Sequence, residues 1–195
     1  SCSASDLGAH PSLLTILTSF VETLSLHGTS NTTIVFDERT MTADTLLSSP
    51  RDGYLIIGTS ENQERAIVHT LTRAGIPCVL VNRNASDPRV GSINFDDVHA
   101  CMEATEHLIS LGHRNIAFVG GNKNYQNTSR RLTGYRYAME QHRIPVQDCN
   151  IILGEYSELS GYQCGKKLLE LTDFPTAGIF ASDPIAIGCI RYLQE

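Results

Sequence analysis

The chain has 195 residues, 41% of them hydrophobic, and a formal net charge of −6. That size suits one large α/β domain or two smaller ones, and the composition excludes a disordered or collagen-like chain. The acidic balance argues against nucleic acid as a direct partner of this segment, because phosphate binding needs a basic surface.

The predicted elements alternate regularly. Pro11 to His27 reads as a helix with Leu13, Leu17, Phe20 and Leu24 on one face and Gly28 as its stop. Thr33-Ile34-Val35-Phe36 and Tyr54-Leu55-Ile56-Ile57 read as short apolar strands. Ser60-x-x-Gln63 is a capping-box pattern opening a helix with Ile67, Leu71 and Ala74 inward and Gly75 at its end. Cys78 to Val81 is a buried strand, followed by a loop with Asn82, Asn84 and Pro88 and a weak strand at Ser92-Ile93-Asn94. Asp96 or Asp97 caps the next helix, whose apolar line is Cys101, Ala104, Leu108 and Leu111. Further on come a strand from Ile116 to Val119, a helix from about Thr128 to His142 and a strand at Ile151-Ile152-Leu153. A helix from about Glu158 to Leu171, a strand at Gly178 to Ala181 and a last helix with Asp183 as N-cap and Pro184 at its first position complete the order. Short continuous apolar strands between amphipathic helices give a doubly wound α/β fold, its parallel sheets covered on both faces.

The most informative run is Leu111-Gly112-His113-Arg114-Asn115-Ile116-Ala117-Phe118-Val119-Gly120-Gly121, followed by Arg131-Leu132-Thr133-Gly134-Tyr135. It brings a guanidinium to a helix start at the carboxyl end of a parallel strand, where open α/β sheets bind ligands. This run, with Thr105-Glu106-His107-Leu108-Ile109 before it, resembles the effector-binding core of the lac-repressor family of bacterial transcription regulators. The details between Gly121 and Arg131 look like the maltose-repressor branch.

The resemblance implies two similar doubly wound parallel-sheet subdomains around a ligand cleft, as in periplasmic binding proteins. It puts the first crossover near Gly112-His113. Residues 1–112 are then the N-terminal subdomain and residues 113–195 a partial C-terminal one, with the template's last strands beyond Glu195. Arg131 matches the family arginine that holds ligand hydroxyls or a carboxylate, and its five donors suit vicinal sugar hydroxyls. Tyr125 and Asn127 match cleft-lining positions, Asn127 serving equally as a helix N-cap. Tyr156 matches a ring placed against the ligand or simply packed at a strand end. Ser182-Asp183 stands where relatives carry Asn-Asp, so Ser182 offers one hydroxyl in place of an amide and Asp183 either caps its helix or meets ligand. In the first loop, Asp6 or Ser5 is the remaining effector-binding candidate.

No P-loop, G-x-S-x-G, H-E-x-x-H or strand-linked G-x-G-x-x-G occurs, so catalysis is not expected. Six scattered cysteines without a C-x-x-C pair argue against zinc, and Cys78 and Cys101 read as buried thiols. No cofactor is implied. No apolar run reaches the roughly 20 residues that span a bilayer, and the first residues lack signal-peptide patterning, which suits a cytoplasmic location.

The resemblance thus implies the sensing and dimerising core of a transcription repressor. Its expected partners are a sugar such as maltose, a second copy of the chain, and operator DNA reached through a separate helix-turn-helix headpiece. The last helix, with Ile187, Ile190 and Tyr192, is the candidate dimer interface. The rival reading is a periplasmic sugar-binding protein of a transport system, which shares the architecture and would carry an export signal in place of the headpiece.

Overall fold

The structure is a computed structural model that describes residues 11–28, 43–48, 52–57 and 61–195. The expected strand at 33–36, the Ser60 cap, Ser5 and Asp6 lie outside the described residues. Two compact units form along the chain: Ser1–Tyr54 with Asn62–Cys78, and Leu55–Glu61 with Val79–Glu195.

In the first unit, α1 (Pro11–Leu26) half-buries Leu17 and Leu24 and leaves Phe20 37% exposed, so its apolar face is only partly covered. Helix α2 (Ala43–Ser48) buries Leu46, whose carbonyl accepts a hydrogen bond from the Tyr54 hydroxyl. Helix α3 (Glu61–Arg73) buries Ile67, Val68 and Leu71. Ala74, expected inward, is exposed because the helix has already ended. The Ile76 N–H donates to Leu71 O, and Gly75, at φ +70°, supplies the left-handed residue of that stop.

Strands β1 (Tyr54–Ile57), β2 (Cys78–Val81) and β3 (Gly91–Ile93) form one sheet in that spatial order, with β2 and β3 parallel from Val79 beside Gly91 to Val81 beside Ile93. The second sheet has β4 (Ile116–Gly120) between β5 (Ile151–Leu153) and β6 (Ala177–Phe180), both parallel to it. All five residues of β4 are buried. A strand covered on both faces is continuously apolar instead of alternating, and that is how this run reads. The doubly wound parallel-sheet expectation holds.

Helices α4 (Asp97–Ser110) and α5 (Gln126–Gln141) pack with the second sheet, as do α6 (Glu158–Leu169) and α7 (Asp183–Leu193). Cys101 and Ile109 of α4 share one core with Phe118, Tyr135, Met139, Leu168 and Ile185. Each fully buried aliphatic or aromatic side chain there contributes about 1.5–3 kcal/mol. Because α4 belongs to this core, the chain passes from first sheet to second ahead of Asp97.

Close helix crossings depend on glycine in both helix pairs. A Cβ on Gly134 of α5 would overlap Val98 O of α4, and one on Gly188 of α7 would overlap Glu158 O of α6. The family-like Gly112-His113-Arg114-Asn115 run is structural. Gly112, at φ +97°, lets the His113 N–H reach Leu108 O, and Arg114 Nη1 donates to Ile109 O, closing α4. His113 Nδ1 pairs with Thr176 Oγ1 at 2.9 Å, and Asn115 Oδ1 accepts from Asn150 Nδ2. These contacts tie the loop ahead of β4 to those ahead of β5 and β6, at the amino ends of the strands.

Among the described residues, no helix is long and apolar enough to cross a membrane.

Candidate functional site

Parallel strands put all their carboxyl ends on one side, and the candidate residues gather there within the second unit. After β4, Gly121 begins a loop in which Asn122 Oδ1 accepts from the Asn124 N–H and Asn122 Nδ2 donates to Glu155 Oε1. The loop ends at Tyr125, whose extended backbone is the N-cap position of α5. Asn127 is therefore inside α5 and not its cap. Its Oδ1 accepts from the Thr128 N–H at 3.0 Å.

Arg131 lies one turn further along α5. Its Nε donates to Asp97 Oδ1 at 2.8 Å, and its Nη1 donates to the carbonyl of Ala181, just after β6. The Arg131 and Asp97 side chains are 27% and 11% exposed, so the pair is largely shielded from water yet reachable from it. Two of the five guanidinium N–H groups are thus engaged and three remain among the described contacts. Arg130 is half-buried, with a buried Nε that meets no acceptor among the described residues.

Tyr156 follows β5 and reaches back over the glycine turn, its hydroxyl sharing a 2.8 Å hydrogen bond with Oγ1 of the buried Thr128. Burial raises its phenol above the usual tyrosine range, against the opposing effects of Thr128 and Arg131. The rings of Tyr125 and Tyr156 stand 6.0 Å apart at 58°, forming an aromatic corner. Sugar C–H faces pack against such rings.

The Ser182 and Asp183 expectations change. Ser182, not Asp183, occupies the N-cap of α7, without a side-chain capping bond. Its Oγ is buried and unpartnered among the described residues. Asp183 is exposed in the first turn, where its charge complements the helix dipole. At α4 the cap is Asp96, whose Oδ1 accepts from the His99 N–H, which leaves Asp97 for Arg131.

Sequence reasoning missed several residues at this end. Asn82 takes a left-handed φ of +62° directly after β2, and the chain then brings Arg83, 5% exposed, to within 5.9 Å of the Tyr125 ring centroid. Asn94 Nδ2 donates to Arg83 O and Asn84 Oδ1, and the Asn84 N–H donates to Gln126 Oε1. The position of Asn82-Arg83-Asn84 at a strand's carboxyl end was the available signal. Asp97 and Thr128 had none, because their roles depend on partners 34 and 28 residues away.

Among the described residues are two open grooves of about 470 Å³, one lined by Arg136, Arg143 and Asp148 and the other, beside the Asn122 loop, by Asn122, Glu155 and Gln163. Neither lining includes Arg131 or Tyr156. Among the described residues no cluster of His, Cys, Asp or Glu is placed to hold a metal.

The family model described as periplasmic binding proteins and sugar binding domain of LacI family matches residues 6–195. Catabolite control protein A of Priestia megaterium is 32% identical over 151 residues, covering 77% of this chain and 45% of that protein. The HTH-type transcriptional repressor MelR of Bacillus subtilis is 29% identical over 151 residues, covering 74% of this chain and 43% of its own length. The chain therefore spans less than half the length of these relatives. A solved complex of the transcriptional regulator CelR with cellobiose is 25% identical with a TM-score of 0.86, covering 98% of this chain and 60% of that one.

Proposed function

From the premise that the chain belongs to the family of periplasmic binding proteins and LacI-family sugar-binding domains, we propose that it is the effector-sensing core of a transcription repressor. The effector in this reading is a sugar. The observation that carries it is the placement of Arg131, held to Ala181 O just after β6, on the same helix as Thr128, whose hydroxyl pairs with the Tyr156 phenol. Guanidinium donors beside an aromatic ring meet the two surfaces of a sugar, its hydroxyl edge and its C–H face. Arg131, Tyr156 and Tyr125 are the main contacts, with Asn127 beside them. The cellobiose complex of CelR supports a sugar in place of another small molecule, and maltose stays one candidate among the sugars.

Sugar bound at these residues shifts the protein between two arrangements only by as much as its affinities for them differ. In the full-length protein that shift reaches a separate helix-turn-helix headpiece, as the name of MelR suggests. Two headpieces reading a two-fold-symmetric operator require a homodimer. Ile187 and Ile190 of α7, 52% and 49% exposed, offer an apolar face for it. A repressor of this kind works in the cytoplasm. The relatives are regulators, so the transport reading is not favoured.

The test is selection of bound duplexes from a random DNA pool by the full-length protein, with and without sugars. The proposal expects two-fold-symmetric sites whose retention changes with one class of sugar. No DNA selection, or selection that no sugar alters, overturns it.

A further inference from the structure

We propose that Asp97 is a positioning residue for Arg131, fixing which face of the guanidinium is presented at the site. Three observations combine. Asp97 is 8% exposed, unlike its neighbour Asp96, which is exposed and caps α4. Its Oδ1 accepts from Arg131 Nε, so it does not serve the helix start where sequence places it. Arg131 Nη1 is held at the same time by the Ala181 carbonyl, whose own N–H donates to Val119 O in the strand ladder.

A guanidinium is planar, so two bonds from different nitrogens fix its plane and its rotation together. Nε is tied to the start of α4 and Nη1 to the end of β6. That leaves both N–H groups of Nη2 and one of Nη1, in a fixed direction, as the donors at the site. An arginine with free χ angles would lose rotamer entropy whenever it engaged a ligand, whereas this one is already ordered. The carboxylate also compensates the arginine's charge, so the group presents hydrogen-bond donors more than net charge.

The affinity arm of the test rests on the sugar reading above, and a spectroscopic arm does not. In the full-length protein, ¹⁵N-edited NMR should show a protected Arg131 Nε–H signal, assigned by its loss in Arg131→Lys. Asp97→Asn should shift that signal and speed its exchange with water at least tenfold. A signal unmoved by Asp97→Asn overturns the proposal, whatever sugars do. With cellobiose as calorimetric probe, Asp97→Asn should weaken binding at least fivefold. Adding Asp97→Asn to Arg131→Lys should cost no more than Arg131→Lys alone, since the carboxylate acts through the guanidinium. Additive losses would overturn positioning in favour of an independent contact. If cellobiose fails to bind the wild type, its choice as effector is rejected and the NMR arm alone decides on Asp97.

Discussion

Gly121 and Tyr156 share a space that has no room for a methyl group: a Cβ on Gly121 would overlap Cε2, Cδ2 and Cζ of the tyrosine ring. The glycine pair after β4 thus allows the ring to lie against the backbone with its hydroxyl at 2.8 Å from Thr128 Oγ1. Gly121→Ala must move the ring and break that bond. The expected loss is about 1–3 kcal/mol in chemical denaturation, the range for overpacking. Sugar affinity should fall with it. Unchanged stability would mean that the ring can sit elsewhere at no cost.

Gly134→Ala and Gly188→Ala meet backbone in place of a rotatable ring, Val98 O in one case and Glu158 O in the other. A carbonyl fixed within a helix cannot step aside without separating the whole helix pair. Each substitution should destabilise by about 3 kcal/mol, at the upper end of overpacking costs. Gly121→Ala should be the milder of the three. Denaturation midpoints in the opposite order would contradict the packing described for α4 with α5 and α6 with α7.

Ser182→Ala tests the unpartnered hydroxyl at the start of α7. A buried polar group without a partner costs about 1–3 kcal/mol, so removing it should leave stability unchanged or raise it by about 1 kcal/mol. A clear loss of stability would show that the hydroxyl has a partner in solution.

Stability should decline at high pH in a defined window. Burial pushes Tyr135 up to about 12 while its hydroxyl donates to Ile116 O, and pushes Cys101 and Cys189 up to about 11. Unfolded thiols and phenols titrate near 9 and 10. A folded pKa above the unfolded one gives stability that is complete below the unfolded value and lost as pH rises through the folded one. Unfolding free energy should therefore fall from pH 9, most steeply between 10 and 11 where all three groups contribute, and more gently up to 12. Tyr135→Phe should flatten the upper part of that fall. A flat profile from pH 9 to 12 would contradict the burial of these groups.

The fold was legible from local signals wherever those signals decide the structure. The apolar run of β4 and the Gly75 and Gly112 stops are local, and they appear where the sequence puts them. Arg131 and Tyr156 were singled out by the family resemblance, and the structure puts both at the carboxyl end of the second sheet. Asp97 was not, because an acidic pair before an amphipathic helix fits a cap equally well at either position. Only the packing of α4 on α5 makes Asp96 the cap and turns Asp97 to Arg131. Asp183 failed for a similar reason, since Asp-Pro reads as cap and first position while the extended backbone of Ser182 takes the cap one residue earlier.

The most direct measurement is a thermal-shift comparison of wild type and Arg131→Lys, in the full-length protein, across neutral mono- and disaccharides including cellobiose and maltose, with purines and amino acids as controls. Removing the fork from Arg131 leaves the Asp97 carboxylate poorly paired, so the variant's baseline stability should drop by about 1.5–3 kcal/mol. A sugar at 100 times its dissociation constant should stabilise the wild type by about 2.7 kcal/mol. The account predicts such a rise for at least one sugar in the wild type and its loss in Arg131→Lys. No response to any sugar, or a sugar response that survives in Arg131→Lys, would contradict it.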